Sequence, residues 1–295
     1  MRRCIIILSA LLMWSCVDRS QAQRLWKLQT KELPHYACVA YGKDTLEFPA
    51  GRDGFEHFYK ALDLLLDEGR GRVSILHIGG SHVQAGYFSH RMRCNLSAMA
   101  EGVCGDRGCL FPFKTLRTNA PYGYSLTTTG EWWGARCVEA SPILELGLTG
   151  AAVQTADTAA TLTLSLDGAD SLRWSFNRLR VWGSASSDRV FPVLCLPGCT
   201  LLPDETGTSG SYCFTLPVAV DSCTLRFSGL DAGHFTLRGL LPESDRNGVT
   251  YYSAGVNGAA VPSWLRCTHF TEELAVVLFR SPEPDGPMTQ TTSPL

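Results

Sequence analysis

VSILHIGGSHVQAGYFSHRMR, residues 73–93, decides how this chain is read. Val73 through Ile78 is a short, β-rich apolar run of the kind that forms a buried strand. Gly79-Gly80 breaks the run, Ser81-His82 follow, and the pattern then turns helical, with Val83, Tyr87, His90 and Cys94 available to one face. Strand, glycine turn, serine and helix lift a hydroxyl above the carboxyl edge of a sheet. The helix N-terminus behind it offers backbone N–H groups and partial positive charge to a developing oxyanion. The same few residues also suit a plain βα turn in an α/β domain.

A second segment of the same form lies far downstream. Val249 to Ala254 reads as a strand that feeds the turn Gly255-Val256-Asn257-Gly258-Ala259. Together the two segments resemble the SGNH (GDSL-like) hydrolases, particularly exported bacterial members whose first block reads L-H-I-G-D-S-H-x-Q. Leu76, His77, Ile78, Gly79, Ser81, His82 and Gln84 match that block, and Gly80 stands where it has Asp. YYSAGVNGA, residues 251–259, is similar to the second block, whose glycine N–H serves the oxyanion hole, and that glycine falls on Gly258. The matched segments cover about thirty residues. The resemblance implies a three-layer, flavodoxin-like α/β domain with Ser81 as nucleophile and the N–H groups of Ser81 and Gly258 as oxyanion donors.

The N-terminus reads as an export signal over residues 1–22. Arg2 and Arg3 form a basic start, residues 5–14 an apolar stretch too short to span a bilayer, and Ser20-Gln21-Ala22 a small-residue cleavage site. Acylation at Cys16 is the competing reading, although Met13-Trp14-Ser15 is a poor lipobox. The expected location is therefore the periplasm or cell surface. Hydrophobic content of 45% and charged content of 18% are those of a globular protein. The net charge of −2 leaves no basic footprint for nucleic acid.

Twelve cysteines are many, and an even set in an exported chain permits disulfides whose connectivity spacing does not reveal. Cys104 with Cys109 and Cys195 with Cys199 are the local possibilities, and buried free thiols are the other. No C-x-x-C occurs and no histidine cluster accompanies the cysteines, so no metal or other cofactor is expected.

Upstream of the strand, Asp53 with Glu56 has the form of a capping box. Phe55, Phe58, Leu62, Leu65 and Leu66 recur at helical spacing, and Gly69 ends the helix. Residues 101–124 are rich in Gly, Pro and Asn and read as an ordered loop. In the resembling proteins such a loop lines the active-site mouth, which makes Asn119, Tyr122 and Tyr124 candidate contacts, with ordinary loop packing as the competing reading. Trp132-Trp133 suits stacking on carbohydrate or packing at a domain seam.

From 137 to 246 the pattern changes to short alternating runs with turn signals between them: 161–166 closed by Asp167-Gly168, then 179–182, 190–196, 212–218, 223–227 and 234–240. That spacing predicts an all-β sandwich inserted between two parts of the α/β domain, 23–136 and 247–278. Similar insertions in SGNH-type peptidoglycan O-acetylesterases look like carbohydrate-binding modules. Trp174, Arg180, Trp182 and His234 are then ligand candidates, with core packing the better reading for the tryptophans.

Residues 264–278 read as a closing helix with Leu265, Phe270, Leu274 and Val277 inward, and 279–295 as a disordered Pro/Thr-rich tail. The family's third block, G-x-N-[DE], and its D-x-x-H do not occur, which leads to the expectation of a C-terminally truncated, incomplete α/β domain. Of the seven histidines, His82 adjoins Ser81 and His269 follows the second block, but neither matches the family's base. The expectation is a serine esterase lineage acting on acetylated cell-envelope glycan, such as peptidoglycan, impaired as this chain. A non-catalytic glycan-binding envelope protein or pseudoenzyme is the alternative.

Overall fold

The computed structural model describes residues 35–43, 51, 53–166, 174–207 and 210–278. The export segment at 1–22, the dipeptide Asp167-Gly168 and the tail at 279–295 lie outside the described residues.

Helix α1 (Glu56–Glu68) buries Leu65 and Leu66, and left-handed Gly69 closes it with an N–H bond to Leu65 O. The expected cap at Asp53 does not form. Residues Asp53–Phe55 make a 3-10 turn that runs straight into the helix, so the backbone is already helical where a capping side chain would act. Strand β1 (Arg72–Gly79) follows, then α2 (Ser81–Ala85) and α3 (Tyr87–Ser97). The single helix expected after Ser81 is thus broken. Gly86 sits at φ 81°, and an added Cβ there would lie 2.8 Å from Tyr122 N. Within the segment expected to be all loop, Cys104–Arg107 forms strand β2.

The sandwich strands are β3 (Ser125–Thr129), β4 (Trp133–Arg136), β5 (Ala151–Thr155), β6 (Thr161–Ser165), β7 (Phe176–Ala185) and β8 (Phe191–Leu196). They continue with β9 (Cys199–Leu201), β10 (Glu205–Gly207), β11 (Ser211–Val220), β12 (Ser222–Ser228) and β13 (Phe235–Glu243). One antiparallel sheet has the order β10-β11-β7-β13-β5-β4 and the other β3-β6-β12-β8-β9. β3 and β4 lie ahead of the boundary drawn at 137. Leu162 and Leu164 of β6 point into a core shared with Leu179, Val181, Phe214 and Phe235 of the facing sheet. The alternate threonines face out, where Thr129 meets Thr161 and Thr163 meets Thr224 at 2.8 and 3.0 Å.

β14 (Gly248–Gly255) returns the chain to the α/β part, followed by α4 (Val261–Trp264) and α5 (Phe270–Leu278). The closing helix expected at 264–278 is therefore two helices, and Leu265 falls in the link between them, 85% exposed rather than inward. β14 is the centre of a three-stranded parallel sheet, with β1 on one side and β2 on the other. On one face Val73, Ile75 and Val249 pack against Leu62 and Leu65 of α1 and Leu96 of α3. On the other, Leu76 and Tyr252 pack against Leu274 and Val277 of α5 and against Trp182 and Leu241 of the sandwich. An α/β layer arrangement results in which the sandwich itself covers part of the sheet. The buried pair Arg238–Glu273, 2.8 Å, binds β13 to α5, and Glu273 also accepts from Leu148 N–H at 2.7 Å.

β2 carries no apolar alternation because its charges serve the sheet ends. Asp106 takes Arg72 at 3.1 Å and Arg246 at 2.8 Å. Arg107 lies over the Tyr124 and Trp174 rings, and Trp174 Nε1 donates to Gly105 O at 2.9 Å. β2 ends opposite Tyr251, and the buried Arg93 guanidinium of α3 donates to the Tyr251 carbonyl.

Candidate active site

Ser81 stands at the carboxyl end of β1, the first residue of α2, and is exposed. The parallel register pairs Gly79 with Gly255, which brings the turn after β14 against the turn after β1. Val256 N–H donates to Gly79 O at 3.2 Å, and a Cβ on Gly80 would lie 3.3 Å from Ala259 O. Ser81 and Gly258 are thereby placed on neighbouring turns of one sheet edge, the position at which open α/β sheets bind ligands. Gly258 has φ 82° and is exposed, and among the described residues its N–H donates to no other group of the chain.

A polar clasp centred on the buried Gln84 holds the two turns together. Gln84 Oε1 accepts from Asn257 N–H at 2.6 Å, and Gln84 Nε2 donates to Asn119 O at 2.8 Å and Thr118 Oγ1 at 3.2 Å. Asn257 Nδ2 donates to Thr118 Oγ1 at 2.8 Å and bonds Asn119 Oδ1. The close seating of α2 requires Gly255, where any Cβ would run into Gln84 N. Gln84 is legible in the sequence only as a motif match. Thr118 carries no signal at all, since its part depends on the 101–124 segment folding back over α2.

α2 is one short turn and a half, so the helix dipole expected behind Ser81 is small and the local N–H groups are what remains. No histidine hydrogen-bonds the Ser81 hydroxyl among the described residues. His77 Nδ1 meets Tyr251 Oη at 3.0 Å, and burial lowers the His77 pKa by disfavouring its charged form. His90 meets Cys94 at 3.4 Å. His269 has both ring nitrogens engaged, with Glu272 at 3.1 Å and Glu145 at 3.0 Å; the hydrogen bond from His269 holds the Glu145 carboxyl below its ordinary value. His82 is exposed beside Ser81.

The other candidates separate. Asn119 belongs to the clasp. Tyr122 stacks on Tyr87 with ring centroids 4.8 Å apart, and Tyr124 is tied to Phe111 by its hydroxyl. Trp132 packs edge-on against Phe227, whereas Trp133 is 43% exposed with Nε1 bonded to Gln154. Trp174 and Trp182 are buried, Arg180 is half-buried and His234 is exposed. The two local cysteine pairs remain unlinked. Cys104 starts β2 while Cys109 is buried against Tyr252, and Cys199 pairs with Leu196, which puts it on the face of the β8–β9 hairpin opposite Cys195. Among the described residues no group of three or more His, Cys, Asp or Glu side chains is arranged to hold a metal ion. No helix among the described residues is long and apolar enough to cross a membrane.

No protein-family profile matches the chain, and no curated protein matches it. Among solved structures the chain is similar to a peptidoglycan O-acetylesterase, with 19% identity and a TM-score of 0.49 over 70% of this chain and 53% of that one. It therefore spans about half the length of that esterase. It is also similar to the catalytic unit of a thermostable GH87 alpha-1,3-glucanase from Streptomyces thermodiastaticus strain HF3-3, with 12% identity and a TM-score of 0.26 over 41% of this chain and 26% of that one.

Proposed function

We propose that the chain carries the nucleophile and oxyanion turns of an SGNH-type serine esterase directed at acetylated cell-envelope carbohydrate, acting after export. The observation that supports this reading is the adjacency of Ser81 and Gly258. Two motifs more than half the chain apart in sequence meet on one sheet edge through Gly79–Gly255 pairing and the Gln84–Asn257 bond. Ser81 attacks the acyl carbon, and the N–H groups of Ser81 and Gly258 receive the oxyanion. A serine hydroxyl is a weak nucleophile at its free pKa, and a positioned base contributes about 10²–10⁴-fold. Without an imidazole on Ser81 the rate falls by that order, which is the sense in which activity is impaired.

The lack of any hydrogen bond to the Ser81 hydroxyl among the described residues also favours a second reading, a non-catalytic glycan-binding envelope protein. Hydrolysis of an aryl acetate by the full chain and by Ser81→Ala separates the two. A rate above background that disappears in Ser81→Ala supports the esterase. Equal rates in both proteins, with unchanged retention on insoluble peptidoglycan, overturn it in favour of the binding protein.

A further inference from the structure

Four rings rise in a column from the seam between sheet and sandwich to the surface near Ser81. Trp174, buried where the sandwich meets β2, donates its Nε1 to Gly105 O at 2.9 Å. The buried His90 ring meets Trp174 edge-on at 5.7 Å, and Tyr122 meets His90 edge-on at 4.9 Å. Tyr87 then lies nearly parallel on Tyr122, with centroids 4.8 Å apart and planes 27° apart. The column ends there. Tyr87 is 66% exposed, so one face of its ring is backed by Tyr122 and the other is open to water.

The backing is held from several sides. Tyr122 N–H donates to Ala85 O at 2.9 Å, and the buried Arg107 Nη2 donates to Tyr122 O at 2.5 Å. Phe88, the next residue of α3, is also exposed, but it meets His77 edge-on at 5.4 Å rather than lying on it. A free surface ring loses rotamer freedom when a ligand freezes it, whereas a ring already held by stacking loses little. Tyrosine suits that use, with a flat apolar face, few rotatable bonds and a hydroxyl that stays wet.

From this column we propose that Tyr87 is a stacking platform for a pyranose ring of the glycan whose acyl ester Ser81 attacks, a subsite that rests on the esterase reading given above. A pyranose ring has a face of C–H groups and a rim of hydroxyls. Its C–H face covers the open face of Tyr87 while the hydroxyls of both remain in water, so apolar area is buried without stripping polar groups. Position carries the rest. Ser81 opens α2 and Tyr87 opens α3, six residues on, about 9 Å at the rise of a helix. The loop that backs Tyr87 with Tyr122 also supplies Thr118 and Asn119, which bond Gln84 and Asn257. One loop thus fixes the platform and the Gly258 turn in a common frame, and a sugar held on Tyr87 presents the ester of a neighbouring sugar to Ser81.

The test titrates the full chain with the tetramer of N-acetylglucosamine and follows binding by NMR. Saturable binding is expected, weakened about five- to tenfold in Tyr87→Ala and kept within about twofold in Tyr87→Trp. Val218→Ser, which removes a comparably exposed apolar side chain from β11, leaves binding unchanged. No saturable binding to the unaltered chain, or equal affinity in Tyr87→Ala, overturns the proposal. A comparable loss in Val218→Ser also overturns it, in favour of adhesion to any exposed apolar surface. In the unaltered chain the Tyr87 ring protons shift as the tetramer is added; ring protons unmoved at saturation overturn the proposal even where a variant does not fold. Aryl acetate hydrolysis is scored separately. A Ser81-dependent rate without Tyr87-dependent binding removes the subsite and keeps the esterase, and Tyr87-dependent binding without a Ser81-dependent rate removes the esterase and keeps a glycan site on Tyr87.

Discussion

Replacing Gln84 by Met removes the clasp between the two turns while nearly keeping the side chain's volume. Gln84 is 2% exposed and makes three hydrogen bonds, one from Asn257 N–H and one each to Asn119 O and Thr118 Oγ1. A neutral bond contributes about 0.5–1.5 kcal/mol net, and a buried group left without a partner costs about 1–3 kcal/mol. Asn119 is exposed, so its carbonyl is taken up by water in the variant, whereas Asn257 is only half-exposed and its N–H is not fully rehydrated. The expected loss is then about 2–3 kcal/mol, a shift of about 1 M in the urea midpoint for a slope of about 2–3 kcal/mol/M. Amide exchange gives the local readout. The Asn257 amide, slow in the unaltered protein, exchanges faster in Gln84→Met than global destabilisation alone accounts for. A loss under about 0.5 kcal/mol, with Asn257 exchange unchanged, refutes the claim that Gln84 holds the Gly258 turn.

Arg238→Met strands the Glu273 carboxylate and costs about 3–5 kcal/mol at neutral pH, whereas Arg238→Met/Glu273→Gln recovers part of that loss, as denaturant unfolding of the two variants will show. Burial already pushes the Glu273 pKa up and Arg238 opposes it, so in Arg238→Met the folded pKa rises further; the variant's deficit is largest above that pKa and shrinks as pH falls through it. Gly86→Ala meets both a positive φ and the 2.8 Å approach to Tyr122 N, and lowers stability by more than about 1 kcal/mol in a thermal melt. Burial depresses the His77 pKa, so its contribution to stability is complete above about pH 6.5 and is lost as pH falls through the folded pKa; His77→Phe flattens that part of the unfolding profile.

Much of the organisation was local and therefore readable. The apolar run of β1, the glycine break before Ser81 and the left-handed stop at Gly69 each follow from residues a few positions apart. So do the sandwich strands whose alternation is strong, such as β6 and β12, because a period of two marks which side chains meet a core. Weak alternation hid others. β3 is mostly threonine, and β2 is a strand only because β14 supplies its hydrogen-bond partners. The capping box at Asp53 was misleading because the chain enters α1 through a 3-10 turn.

The sequence alone placed Ser81 on a strand-to-helix turn and marked Gly258 by motif, because the backbone conformations these turns need are set by glycines close by in the chain. Tertiary structure decided what stands around them. Adjacency of the two turns comes from the parallel pairing of β1 with β14, and the clasp from a loop folding over α2. The bond from Arg266 to Cys137 O comes from the sandwich returning onto the link before α5. Each joins residues far apart in sequence, and such contacts are selected by how whole faces pack, a property no short stretch of residues carries.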